Sequence, residues 1–169
     1  VSFVLRTMGV TSSVSGSYLF NSSSVGNALM NLTKRNVVSD FHVSDFMMPI
    51  DEAPSVFLED ISIKSVLQSI DNGQIGFTVI INKEGLFKGI ISNADVRKGL
   101  MAHLDDLNSI NPAEFINESP RMVLESSTVL EMLEVVKRSK FPIMYLPVLN
   151  KDGFAVGIVT FVNLIKGEL

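Results

Sequence analysis

The phrase GIISNADVRKGL at residues 89–100 returns as GIVTFVNLIKGEL at residues 157–169, and a phrase used twice constrains a fold more than any single residue can. At an offset of 68 the segment NKEGLFKGIIS (82–92) falls on NKDGFAVGIVT (150–160), placing Asn82 on Asn150, Gly85 on Gly153, Gly89 on Gly157 and Ser92 on Thr160. Upstream the offset becomes 66. There PSVFLEDISIKSVLQSI (54–70) falls on PRMVLESSTVLEMLEVV (120–136), matching Pro54 with Pro120, Leu58 with Leu124 and Leu67 with Leu133. Two residues are therefore gained in the second copy, near Lys140 to Pro142. One position changes its chemistry between copies: Asp95 becomes Asn163.

Both copies obey the same local rules. An extended segment around Val56 or Val123 leads to LEDIS or LESST, where Ser62 or Ser127 is expected to cap a helix. Apolar residues then recur at helical spacing: Ile63, Val66, Leu67 and Ile70 in the first copy, Val129, Met132, Leu133 and Val136 in the second. Next comes a β-rich run, GFTVIIN or IMYLPVLN, closed by NKEG or NKDG, whose glycine suits the positive φ of a hairpin. LFKGIIS and AVGIVT return as antiparallel partners, and a second helix, ADVRKGLMAHL or FVNLIKGEL, follows. A unit of about 60 residues buries too little surface to stand alone, so two copies are expected to pack sheet to sheet. The fold class is α+β: two βαββα repeats as a pseudo-twofold pair. A linker and helix in residues 1–42 precede repeats placed at 43–104 and 105–169.

Composition narrows the function. With 46% apolar residues the 169-residue chain can bury a real core, while a formal net charge of −4 offers no basic field for a nucleic-acid backbone. The absence of cysteine removes disulfides, thiolate catalysis and sulfur-based zinc sites. No apolar run reaches the roughly 18 residues that span a bilayer, and VSFVLRTMGV is too broken for a signal peptide, so a cytoplasmic location is expected. No P-loop, nucleophile elbow or pair of catalytic carboxylates stands in a fitting context, and no active site is found in this chain. His42 and His103 lie far apart without a partner at ligand spacing and read as ordinary residues rather than metal ligands. The methionines, among them Met47, Met48, Met132 and Met144, read as adaptable core or cleft lining.

The repeat, with GIISNAD and its variant GIVTFVN and with LPVLNKDG before the second turn, resembles a tandem pair of cystathionine-β-synthase (CBS) domains, the Bateman module, over residues 43–169. Within that family, DFMMPIDEAPSV followed by IGFTVI and GIISNADVRKGL is most similar to the pair appended to arabinose-5-phosphate isomerases. The resemblance implies a regulatory module whose clefts take AMP, ADP, ATP or S-adenosylmethionine and bias an attached enzyme or transporter, with a face-to-face homodimer as partner. It places Ser92 and Asp95 in one cleft, with Pro120, Arg121, Ile143 and Met144 supplied by the other repeat. Thr160 and Asn163 fall in the second cleft, with Pro54, Ser55, Ile75 and Gly76. In each, the hydroxyl would meet phosphate or ribose and the residue three further on would accept from the ribose hydroxyls.

Elementary chemistry bears on the same residues. Where a hairpin ends and a helix begins, near Asn93 to Asp95, unpaired N–H groups face an anion, and a carboxylate one turn in accepts from a ribose diol. An amide at 163 is a weaker, uncharged acceptor, so the Asp95 cleft is expected to be the better nucleotide site and the Asn163 cleft weak or empty. Ser92-x-x-Asp95 is equally an acceptable capping box, which would need no ligand, and one residue can serve both roles. Arg121 reads as solvated or phosphate-facing, Arg97 and Lys98 as within reach of a phosphate tail, and Asp51 and Glu52 as surface loop. Residues 11–24 are serine-rich linker. After them Val25, Ala28, Leu29 and Leu32 fall at helical spacing, with Lys34 and Arg35 on the favourable side of the helix dipole. Three functions follow: a nucleotide-sensing module, the regulatory part of a sugar-phosphate isomerase, or a structural dimerisation module with vacant clefts.

Overall fold

The structure, a computed structural model, describes residues 42–160. The N-terminal linker and helix, and the last helix with Asn163, lie outside the described residues. The first repeat builds a three-stranded sheet in the order β2 (Ser55–Phe57), β3 (Phe77–Ile81), β4 (Phe87–Ser92). Helix α1 (Ile63–Gly73) joins β2 to β3, which run parallel, and helix α2 (Asn93–Ala102) follows β4. The second repeat gives β5 (Val123–Leu124), α3 (Val129–Lys137), β6 (Tyr145–Leu149) and β7 (Ala155–Thr160), joined by β1 (Met48–Pro49) in a sheet ordered β1-β7-β6-β5. The hairpins turn at Gly85 and Gly153 with φ of 89° and 86°, as the repeated glycines require.

The layers follow from which faces are apolar. Val56, Val66, Ile70, Ile80, Ile91 and Val96 form a core between the first sheet and its helices. Val123, Val129, Met132, Leu133, Leu146 and Val148 do the same for the second. Between the sheets lies a shared core in which Phe77, Val79, Ile81 and Ile90 of the first repeat meet Leu149, Ala155 and Ile158 of the second. Every residue of β3 is buried, as expected of a central strand covered on both faces. Sheet-to-sheet packing is thus the physical reason for the duplication. The periodicity holds except at Leu67, which is 42% exposed although Leu133 is buried.

One cap departs from expectation. Ser62 caps α1 by accepting from the Ser65 N–H at 3.0 Å, but α3 is capped by Thr128 rather than Ser127. Thr128 Oγ1 accepts from the Glu131 N–H at 3.3 Å, and Glu131 Oε2 accepts from the Thr128 N–H at 2.7 Å. Ser127 is engaged through its backbone instead, its carbonyl taking the Val43 N–H at 2.8 Å. The signal was legible, because Thr128-x-x-Glu131 is the capping box that satisfies two orphan N–H groups at once.

The repeats also exchange their lead-in segments. Met48 and Pro49 pair with Ile158 and Gly157 of the second repeat. Asn117, ahead of the second repeat, bonds Ile90 of the first in both directions, at 3.1 and 2.9 Å. This exchange explains the glycine of the repeated phrase. A Cβ on Gly89 would stand 2.5 Å from the Asn117 carbonyl oxygen, and one on Gly157 2.5 Å from that of Met48. Gly89 also has a φ of 142° that side chains rarely adopt.

Gly89→Ala is accordingly expected to cost about 2–4 kcal/mol, backbone strain and overpacking combined, in urea unfolding. Glu131 gives a second test. Its carboxyl is held below the ordinary value, chiefly by the Thr128 N–H and then by the Thr128 hydroxyl. A depressed carboxyl stabilises the fold above the usual carboxylate range and loses that contribution as pH falls through the folded value. Glu131→Gln should therefore weaken the acid dependence of stability, read by denaturation at stepped pH.

Candidate functional site

Strand β4 ends at Ser92, and Ser92 caps the helix that follows it. The Asp95 N–H donates to Ser92 Oγ at 3.3 Å, while the Ser92 N–H and hydroxyl both donate to Asp95 Oδ2, at 3.0 and 2.5 Å. The capping box is therefore formed. It occupies only one carboxylate oxygen: Oδ1 of Asp95 accepts no hydrogen bond from a described residue. Capping and ligand recognition are thus compatible in this residue.

Asp95 lines an open groove of about 400 Å³ between α2 and the segment ahead of the second repeat. Lys98, Gly99 and His103 share its helical wall, at the spacing that puts residues on one face, and Glu114, Phe115 and Asn117 form the opposite wall. That wall is held there by the Asn117–Ile90 backbone pairing. Gly99 leaves room for the Phe115 ring, which a Cβ at that position would strike. The His103 Nδ1–H donates to the Gly99 carbonyl at 3.0 Å, and Lys98 supplies a cation beside the two acids, Asp95 and Glu114.

Beside Ser92 stands a residue that sequence reasoning missed. Tyr145 of the second repeat stacks on Phe77 of the first, ring centroids 3.7 Å apart and planes 15° apart. Phe77 pairs with Ser92 across the sheet, so the stack places Tyr145 near the Ser92–Asp95 helix start. The Tyr145 phenol is held above its ordinary value. Burial is the largest cause; a hydrogen bond that Ser92 can offer the phenolate works against it, and the charge of Asp95 adds to it. The signal was the offset of 68, at which Phe77 and Tyr145 are the same position of the two copies.

The other sequence-derived residues are spread around this centre. Pro120 is half-buried and Arg121 exposed on the loop before β5; Ile143 packs on the second repeat's core, and Met144 is 55% exposed. Thr160 is buried and pairs with Tyr145. Pro54 packs against Gly73, and the Ser55 carbonyl accepts from Ser69 Oγ at 3.4 Å, both within the first repeat. Ile75 packs on the shared core, and the Gly76 carbonyl accepts the Asn93 N–H at 2.9 Å, at the start of α2. Among the described residues no group of three or more His, Asp or Glu could hold a metal ion.

Two packed βαββ units that exchange their lead-in segments, with a hydroxyl and carboxylate at a helix start beside an open groove, define a paired-repeat architecture. Residues 113–168 match the profile of the CBS domain family, and the chain is a tandem CBS pair. It is similar to CBSX2 of Arabidopsis thaliana, solved in complex with AMP, with a TM-score of 0.61 and 21% identity over 76% of this chain and 96% of that one. It is 32% identical over 117 residues to the arabinose 5-phosphate isomerase KpsF of Escherichia coli, which covers 69% of this chain and 34% of the isomerase. The chain thus spans about a third of that relative's length. It is also 24% identical to the uncharacterized protein MJ1426 of Methanocaldococcus jannaschii, over 78% of this chain and 98% of that protein.

The raised phenol carries a pH test. A group whose folded value is raised contributes stability that is present below the ordinary phenol value and is lost as pH rises through the folded one. Tyr145→Phe should therefore remove part of the alkaline destabilisation seen in urea unfolding at stepped pH; an unchanged alkaline limb would place that loss elsewhere.

Proposed function

We propose that this module senses an adenosine-containing nucleotide at the Ser92–Asp95 helix start and passes its occupancy to an attached or partner protein. The observation that carries the reading is that Asp95, whose Oδ1 accepts no hydrogen bond from a described residue, lines a groove of about 400 Å³. A carboxylate oxygen so placed suits two neighbouring ribose hydroxyls, and Lys98 on the same wall suits a phosphate tail. The AMP complex of CBSX2 supports the choice of ligand class. AMP, ADP and ATP are the leading ligands, with S-adenosylmethionine as a further one. The Thr160–Asn163 cleft is the weaker partner in this reading, because an amide replaces the acid. The ligand regulates by preferring one arrangement of the repeats, since equal affinity for two arrangements shifts neither. The module acts as a cytoplasmic homodimer without catalytic chemistry of its own.

A second reading rests on the match to KpsF: the chain is the regulatory part of a sugar-phosphate isomerase and answers to a sugar nucleotide or the pathway's product. The two readings separate on ligand choice. AMP, ADP, ATP, S-adenosylmethionine and a cytidine sugar nucleotide are to be compared by thermal unfolding, on the wild type and Asp95→Ala. A ligand at a hundredfold its dissociation constant stabilises the folded state by about 2.7 kcal/mol. An adenine nucleotide is expected to raise the unfolding temperature of the wild type and not of the variant. A response to the cytidine sugar nucleotide alone would favour the isomerase reading, and no response to any ligand would leave a structural dimerisation module.

A further inference from the structure

The groove along α2 changes in charge from one end to the other. Asn117 is paired with Ile90, two residues ahead of the Ser92 cap, and the Phe115 ring lies against Gly99, about 6 Å further along the helix than Asp95. The far wall therefore runs from the start of α2 towards its end as residue numbers fall, and Glu114 comes beyond the uncharged Asn117 along it. Local structure holds this wall in place. Pro112 and Phe115 are buried, the Glu114 N–H donates to the Asn111 carbonyl at 3.1 Å, and the Asn117–Ile90 pairing has bonds in both directions. Glu114 itself is exposed.

The start of α2 carries the positive end of the helix dipole, and Lys98 adds a cation one turn in from Asp95. The Asp95 charge at that end is met by the Ser92 N–H and hydroxyl, at 3.0 and 2.5 Å. The far end of α2 carries the negative end of the dipole. No Lys or Arg occurs between Lys98 and Arg121, whereas Asp105, Asp106, Glu114 and Glu118 all fall in that interval, Asp105 and Asp106 just past the end of α2. For an anion, the groove thus passes from favourable to unfavourable within about two turns of helix.

Resting on the nucleotide-sensing reading, we propose that Glu114 sorts adenine nucleotides by the length of their phosphate chain, admitting the monophosphate and disfavouring the triphosphate. With a ribose held at Asp95, the first phosphate comes level with Lys98, the one Lys or Arg that lines the groove among the described residues. Second and third phosphates extend towards Glu114 and the negative end of α2, where no further Lys or Arg lines the wall. The module then answers to the monophosphate even when the triphosphate is present.

Glu114→Gln keeps the shape of the side chain and removes its charge. AMP, ADP and ATP are to be titrated calorimetrically in magnesium-free buffer on the wild type, Glu114→Gln and Asp95→Ala. The wild type is expected to bind AMP more tightly than ADP, and ADP more tightly than ATP. Glu114→Gln should tighten ATP by about two- to fivefold, the range set by one exposed charge contact, and move AMP by less than about twofold. Added salt should likewise tighten ATP relative to AMP on the wild type, because screening weakens the repulsion. ATP binding the wild type as tightly as AMP, or the same change, or none, for both nucleotides in Glu114→Gln, overturns the sorting. If AMP affinity nevertheless falls in Asp95→Ala, the nucleotide reading stands without it. Failure of AMP, ADP and ATP to bind the wild type overturns both.

Discussion

The whole arrangement depends on the two halves pairing with each other about one axis. Leu86 bridges Phe154, the same position of the other copy, and the Phe87 N–H bonds the Gly153 carbonyl at 3.0 Å while the Ala155 N–H bonds that of Gly85 at 3.2 Å. Phe77 and Tyr145, again one position in two copies, stack at the other end of the hairpins. Between these contacts the inner faces of both sheets bury Val79, Ile81, Ile90, Leu149, Ala155 and Ile158. Neither half has another surface on which to bury that face. The exchanged lead-in strands then close the outer edges, and the glycines that admit them stand at the same position of each copy.

That self-pairing also makes the site. Asn117 reaches Ile90 because the second repeat is seated on the first, and its neighbours Glu114 and Phe115 thereby become the far wall of the groove along α2. Asp95 alone would be a helix cap. Opposed by a wall from the other half, it becomes a cap that also lines a groove. The candidate site is thus a consequence of packing two marginal units, with local capping chemistry supplying the polar groups.

Much of the fold was legible because the repeat tests each local assignment twice. Among the described residues the helix periods, apart from Leu67, the hairpin glycines and the antiparallel returns stand where the two copies agreed. The capping box of Ser92 and Asp95 was legible because its chemistry sits within four residues of chain. The groove was opaque where its groups come from distant segments. Glu114, Phe115 and Asn117 carry no local mark of a groove, since they line one only through strand exchange. Ser127 was preferred to Thr128 as a cap because hydroxyls at adjacent positions look alike until the third residue on, Glu131, is weighed. Tyr145 escaped because an aromatic residue at the start of a buried strand reads as core, and its ring does stack there on Phe77.

The departures from symmetry carry more information than the symmetry. Duplication alone would give two like sites, each with a hydroxyl, an acid and an aromatic ring across the axis. Two positions break that likeness: the acid is kept at 95 and lost at 163, and the aromatic hydroxyl is present at 145 and absent at 77. Packing does not account for them, since Phe77 and Tyr145 both stack equally well and an amide at 163 could still accept a capping bond. What the change at 163 alters is the charge available at one of the two repeat-related helix starts. On the nucleotide-sensing proposal, a pair that shifts in response to one ligand needs two clefts that differ in affinity, and the acid kept at 95 alone would supply that difference.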